Sequence, residues 1–556
     1  MMVDLFIFIG ALVAVAVVSI MASRGERSRE QYFLGGRKLT WWLIGFSLIA
    51  SNISTEHFVG MTGTAASSGL AVASYEWLAV PALVLVAWWL LPAFLRAGIY
   101  TIPEYLEYRY DRTTRSILAA LMVVFFVLTV LATVLYGGAT FLVSIFDLNT
   151  LLETHWSLSP EAAEALAFNL CVWGIGIAAS VYTVIGGLTA VVWSDLLQGA
   201  GLLLGALLVL ILALIELGDG AGIIAGWDSF TSANAESLHV VRAWDDPDIP
   251  SLSLLTGLWI PVLFYWGLNQ FIVQRTLGAG SLAQGQKGIL FAGAIKLALP
   301  FLIVIPGMMA VQILACDFDP EQADRAYPDL IQRLLPTGLL GLMLAAVAGA
   351  VLSTFNSGLN SAATVFTLDL WCQYIKPTRA EPDSEDRRAV RVGRNTTIVL
   401  AIAACLWAPV IHSFDGVFSY IQEIWGFVSA PTCAVFFTGL LVLRVPAVAA
   451  KTALIVGPLL YLASRMPVWI WTKDSAHDAG GLIEGLHAYA SMSFLYHMFV
   501  IFIVLVAGLW GWSVAAPCTP RPLPRREVVD MQPMRGLTAI SIALLVCVGA
   551  LYIIFW

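Results

Sequence analysis

The chain has 556 residues, 59% of them hydrophobic and only 12% charged, with a net charge of −8 at pH 7. So few charges cannot cover a water-facing surface of that size, which excludes a soluble enzyme or nucleic-acid binder and leaves an all-α membrane protein that crosses the bilayer many times.

Apolar runs long enough to span roughly 30 Å of hydrocarbon as helices fall at 3–21, 41–69, 77–97, 115–144, 166–184, 192–217, 251–275, 287–315, 336–373, 393–411, 413–443, 447–465, 488–512 and 537–556, which predicts fourteen crossings. The first run has the acidic leading residues "MMVD" and is followed by Arg24, Arg27 and Arg29, the order of a retained anchor with its N-terminus outside. With that orientation, the inner connections (22–40, 96–115, 275–287, 374–394, 444–451 and 513–536) hold 23 of the 29 Lys plus Arg. The positive-inside rule then places both termini outside a cell inner (plasma) membrane. Acidic outer stretches such as "RAWDDPDIP" (242–250) and "CDFDPEQADRAYPD" (316–329) read as solvated surface. The cysteines show no close-spaced pair of a zinc or redox site. With no nucleotide-binding loop and no long polar insertion, ATP-driven pumping and embedded catalysis have no visible machinery, so the chain reads as no enzyme.

Two runs are unlike lipid-facing helix. Run 41–69 carries "SNISTEHFVGMTGTAASSG" through membrane depth. Back-bonding to the helix itself accounts for Thr62, Thr64, Ser67 and Ser68, but poorly for Asn52, Glu56 and His57. Run 251–275 contains Pro261 and then "YWGLNQ", which predicts an interruption near 261–267. Interrupted helices at matching positions of successive five-helix units point to an inverted-repeat transporter with its site between them. The predicted division is an extra helix and inner loop (1–40), a first repeat (41–217), an outer loop (218–250), a second repeat (251–443) and three further helices (444–556).

The strings "YFLGGRKLTWW", "SNISTEHFVGMTG", "GLAVASYEW", "YTIPEYLEYRY", "GGLTAVVWSDLLQ", "YWGLNQFIVQRTL", "LNSAATVFTLDL" and "YIQEIWG" occur in order over residues 31 to 440. Together they resemble the sodium/solute symporter family, above all its sodium/glucose cotransporter branch. The resemblance implies a LeuT-type 5+5 inverted-repeat core, Na+ as coupling ion with no cofactor, and a sugar held near midplane during alternating access. It assigns sodium to the carbonyls of Ala50, Ile53 and Ala350 and the hydroxyls of Ser353 and Thr354, neutral oxygens of the kind a hard cation prefers and which do not titrate near neutral pH. Asp195 resembles a residue of the inner ion path, with a charge at a cytoplasmic helix end as the alternative.

For the solute, the resemblance gives Asn52, His57, Glu76, Tyr265, Trp266, Lys296 and Gln422 as contacts, and Tyr75 and Tyr265 as gates. Glu76 and Lys296 each cost about 2.5–3.5 kcal/mol at a helix centre, so they face a partner or a pathway, unless each lies at an interface. Amides, an imidazole, a balanced acid and base and flat rings suit a neutral hexose, with galactose, glucose and an inositol-like polyol not separable. Val262 and Ala79 depart from sugar-transporting relatives, and Glu56 receives no role. One sodium per sugar is expected. The implied partners are Na+, the sugar and the lipid bilayer, with no nucleic acid and no obligate protein.

Overall fold

A computed structural model describes residues 2–556 apart from 23–27, 247–248, 316–317, 319–322, 324, 375–381, 414–416, 473–474, 476, 478–479, 522 and 527. The described residues form helices, with two isolated β-bridges, Leu39 to Ala279 and Ser281 to Asp530. In hydrocarbon a helix satisfies its own backbone donors and acceptors, which is why apolar runs of this length take no other form. Among the described residues, 12 helical segments are long and apolar enough to cross a membrane, and Phe6–Ala22 is a shorter apolar helix.

Burial ranks the segments. The most apolar window of Leu339–Tyr374 is 83% buried, whereas those of Phe494–Ala515 and Leu537–Ile554 are 28% and 22% buried. The first is therefore the central rod and the last two are lipid-facing. Its sequence "AAVAGAVLSTFNSGLNSAA" explains the position, because small side chains let neighbouring backbones approach closely and its hydroxyls and amides find partners across helices.

Both interruptions are present. In the first, helix Trp41–Asn52 ends at Ile53, whose backbone is extended (φ −76°, ψ 114°), and a π-helical turn, Glu56–Met61, leads into Thr62–Ser68. In the second, helix Trp259–Leu263 runs into a π-turn, Phe264–Leu268, and then Asn269 is extended (φ −77°, ψ 118°) before Gln270–Leu277. The second break is thus at Asn269, beyond the expected 261–267. Pro261 falls in the first turn of its helix, where backbone N–H groups lack helical partners anyway, so it does not interrupt. Asn269 ends one helix and starts the next, its side chain accepting from Phe271 N at 3.1 Å as an N-cap.

The runs expected at 166–184 and 192–217 join as Pro160–Leu217, bent at Gly187 (φ 53°, ψ −147°). A Cβ there would also lie 2.4 Å from the carbonyl oxygen of Tyr32. Gly187→Ala should therefore cost about 1–3 kcal/mol from backbone strain alone, with the Tyr32 collision in addition. A thermal unfolding curve in detergent would show it, and an unchanged midpoint would contradict this account.

Candidate functional site

The two breaks meet around a cavity of about 110 Å³, room for several waters by the usual allowance of about 10–15 Å³ each. Both π-turns line it: Glu56, His57 and Met61 from the first, Tyr265 and Trp266 from the second. A π-turn widens the helix by one residue per bond, which turns side chains out of the regular stripe and toward the break.

Glu76 and Lys296 form the centre. Lys296 is fully buried and donates to both Glu76 Oε2 and Asn52 Oδ1, so the two ionisable groups face each other inside the protein. Its ammonium also lies 5.1 Å from the Trp266 ring centroid, within cation–π range. His57 Nε2 faces the other Glu76 oxygen at 3.4 Å, while Asn52 Nδ2 donates to Tyr265 OH at 3.0 Å. Tyr265 stacks on Trp425, with centroids 5.3 Å apart and planes at 20°. Tyr75 lines the same cavity, as do Pro261 and Val262. Gln422 sits on helix Val417–Leu441, but its side chain lies outside the described residues.

Glu56, without a role by sequence, lines the cavity and makes no ion pair among the described residues; its backbone N–H donates to Ser54 Oγ at 3.2 Å. Trp425 was missed as well. It is one turn from the "YIQEIWG" glutamine, and an aromatic on a mostly apolar helix carries no sequence signal that separates a site ring from a core ring.

A second polar cluster is packed beside the first break. At Ile53 the helix stops, and Ser54 N turns to His57 Nδ1 (3.5 Å), leaving Ala50 O opposite Ser353 Oγ at 3.3 Å. Ser353 Oγ is also 2.5 Å from Asp195 Oδ1. A hydroxyl has one proton, and the shorter contact to a carboxylate takes it. The facing oxygens of Ser353 and Ala50 thus both present lone pairs. Thr354 Oγ1 donates to Ser51 O at 3.2 Å, a carbonyl absent from the expected set, and Ala350 lies buried one turn earlier on the same helix.

Asp195 is fully buried, which removes the helix-end alternative. Its Oδ2 accepts from Ser47 and from Ser51 (3.2 Å), and the Arg275 guanidinium is 3.6 Å away. Arg275 was counted among the inner connections; it is instead fully buried in Gln270–Leu277, donating to Ser47 Oγ (2.7 Å), Ser357 Oγ and Phe271 O. Burial of a charge requires pairing and hydrogen bonding, and here four helices supply it. Two ion pairs, Asp195 with Arg275 and Glu76 with Lys296, thus flank the first break.

The profile of the sodium:solute symporter family matches residues 32–159 and 160–457. The chain is 38% identical over 463 residues to a sodium/glucose cotransporter of Vibrio parahaemolyticus, covering 79% of this chain and 80% of that one. It is 34% identical over 549 residues to the uncharacterized symporter YidK of Escherichia coli (98% and 90% covered), and 31% identical over 546 residues to sodium/myo-inositol cotransporter 2 of Sus scrofa (92% and 76%). In fold it resembles a Na+-coupled sialic acid symporter in a substrate-bound outward-open state, with a TM-score of 0.74 at 20% identity over 94% of this chain and 99% of that one.

Removing one partner of a buried ion pair leaves the other uncompensated, at about 3–5 kcal/mol. Lys296→Ala should therefore lower the unfolding midpoint, whereas the double variant Glu76→Gln with Lys296→Met should regain most of the loss. Equal losses in both would mean that the pair is not the stabilising unit.

Proposed function

Because the chain belongs to the sodium:solute symporter family and so couples solute movement to sodium, we propose that its solute is a neutral polyhydroxyl molecule, a hexose such as galactose or glucose, taken up with one Na+ per solute. The observation that carries this reading is the Asn52–Lys296–Glu76–His57 chain around the cavity. It offers donors and acceptors in alternation, and its own ion pair is internally balanced, so a neutral solute meets directional partners along it. The rings of Tyr265, Trp266 and Trp425 supply a flat surface for the C–H face of a sugar ring. Glu56 adds a carboxylate acceptor for a further hydroxyl. An inositol-like polyol uses the same groups, and the relatives include a sodium/myo-inositol cotransporter.

Sodium takes the neutral oxygens of Ala50, Ile53, Ala350, Ser353 and Thr354, on the reading that the donor set favours a hard monovalent cation. Asp195 acts beside these ligands as well as on the inner ion path: it holds the Ser353 proton, which turns that hydroxyl's lone pairs toward Ala50 O. Sodium stabilises the interrupted helix, and that helix carries Asn52 and His57, so each ligand favours the shape that the other binds. Tyr265, tied to Asn52 and stacked on Trp425, closes the cavity toward the cytoplasm, with Tyr75 as the opposing gate. We assign fourteen crossings, both termini outside a plasma membrane, and repeats at 41–217 and 251–443.

Uptake into proteoliposomes under an imposed inward sodium gradient tests this reading. Galactose or glucose should accumulate with sodium and not with potassium or a proton gradient, and Lys296→Ala and Tyr265→Ala should abolish accumulation. Ser353→Ala should raise the half-saturating sodium about tenfold, the equivalent of about 1.4 kcal/mol, with the sugar preference unchanged. Glu56→Gln should raise the sugar KM and leave the sodium dependence in place. Accumulation of myo-inositol alone would move the assignment to a polyol, and accumulation of neither by a folded protein would sink the polyhydroxyl reading.

A further inference from the structure

A second cavity, of about 700 Å³, opens at the far end of the helices that carry Glu76 and Lys296. It lies within the roughly 300–1,000 Å³ of ordinary ligand sites and shares no lining residue with the cavity between the π-turns. One wall is Trp89, Pro92, Ala93 and Arg96, spaced three, four and seven residues apart as a single helical stripe, with Trp88 beside it. The opposite wall is the start of Leu537–Ile554 and the segment before it.

These walls are fixed. Gln286 is buried and clamps both sides, donating to Ala87 O at 3.0 Å and accepting from Met534 N at 2.9 Å. Trp88 Nε1 donates to Ser541 Oγ at 2.9 Å, yet 46% of Trp88 and 39% of Trp89 remain exposed. Arg526 N donates to Arg96 O at 2.8 Å, which lays the connecting segment across the helix end. The Arg96 side chain is exposed and takes part in no ion pair among the described residues.

The chemistry changes along the cavity. Trp89 and Arg96 are seven residues apart, about 10 Å along a helix axis, with indole at the deep end and an unmatched guanidinium at the rim. Tryptophan pairs with the boundary of hydrocarbon and headgroup, and arginine with phosphate, in a bidentate fork. The rim lies on the side where the connections are basic: segment 513–536 carries Arg521, Arg525, Arg526 and Arg535 against Glu527 and Asp530. Asp530, the nearby described acid, turns its carboxylate to Gln532 N at 3.0 Å. An interhelical pocket with a basic rim on that face fits an anionic lipid headgroup.

We propose that this cavity is a binding site for an anionic phospholipid, its phosphate on Arg96 and its acyl chain against Trp88 and Trp89. A lipid there bridges Leu91–Ala97, Leu282–Leu299 and Leu537–Ile554, and so fastens the lower ends of the two helices whose other halves hold Glu76 and Lys296.

The full-length protein, delipidated in detergent and titrated with phosphatidylglycerol, phosphatidylcholine or phosphatidylethanolamine, would be read by native mass spectrometry. Phosphatidylglycerol should be retained at least tenfold more tightly than either neutral lipid. That preference should vanish in Arg96→Gln and survive in Arg96→Lys; both changes are at an exposed side chain, and both variants should keep the wild-type unfolding midpoint. Equal retention of neutral and anionic lipid by the wild type, or an undiminished preference in Arg96→Gln, would overturn the proposal. Displacement of the lipid by millimolar inorganic phosphate would overturn it too, in favour of a free anion.

Discussion

Everything in this protein answers to one constraint: in hydrocarbon no water completes an unfinished hydrogen bond. A helix satisfies the constraint by itself, and an interrupted helix does not. At Ile53 and Asn269 the chain leaves the helical region for one extended residue, and the surrounding structure has to take up the freed groups. Asn269 does so locally with its own side chain, whereas the first break draws on distant residues, Ser353 and Thr354 on the central rod. The first break is thus the one whose carbonyl oxygens meet hydroxyls of another helix.

The two ion pairs beside the first break follow from the same constraint. A lone carboxylate or ammonium at this depth would cost several kcal/mol, and removing either member of a pair strands the other. Each pair also joins the first interrupted helix to other parts of the fold: Asp195 and Arg275 through Ser47 and Ser51, and Glu76 and Lys296 through Asn52. The helix that has lost its own continuity is therefore held in its last turns before the break by these contacts, while His57 beyond the break faces Glu76 Oε1 at 3.4 Å. Farther out, Arg37 reaches the carbonyls of Leu277 (3.1 Å), Gly98 (3.3 Å) and Ile99 (3.1 Å), tying the end of the second interrupted helix to a neighbouring turn.

The fold was legible because hydrophobic length is a strong signal, and so were the residues whose presence in lipid is costly: Asn52, His57, Glu76 and Lys296 stand out in any reading and meet around one cavity. The position of the second break was not legible. Proline is conspicuous in sequence, but its effect depends on which turn it occupies, and Pro261 sits where no helical donor is lost. Arg275 was misplaced for a related reason. At the end of an apolar run, a cation in a loop and one folded back into the core have the same local sequence, and only Asp195, 80 positions earlier, distinguishes them. Trp425 and Glu56 were silent because neither a ring in an apolar helix nor a carboxylate in a polar stretch reports what it faces.

The geometry around Ser353 carries the coupling argument furthest. Its single proton is committed to Asp195, so the orientation of its lone pairs toward Ala50 O depends on that carboxylate remaining in place. Asp195 is in turn held by Ser51, which belongs to the same helix end and hydrogen-bonds Ser357 at 3.0 Å. A displacement of the helix end at Ala50–Asn52 therefore alters the oxygens beside the break and the Asn52 contacts in the cavity together, since both belong to the last turn of Trp41–Asn52. On the proposed assignment, two ligands that each bind to one face of the same short turn cannot be independent. Whichever arrives first fixes the turn's position, and the ordering cost it has met is not met again by the second.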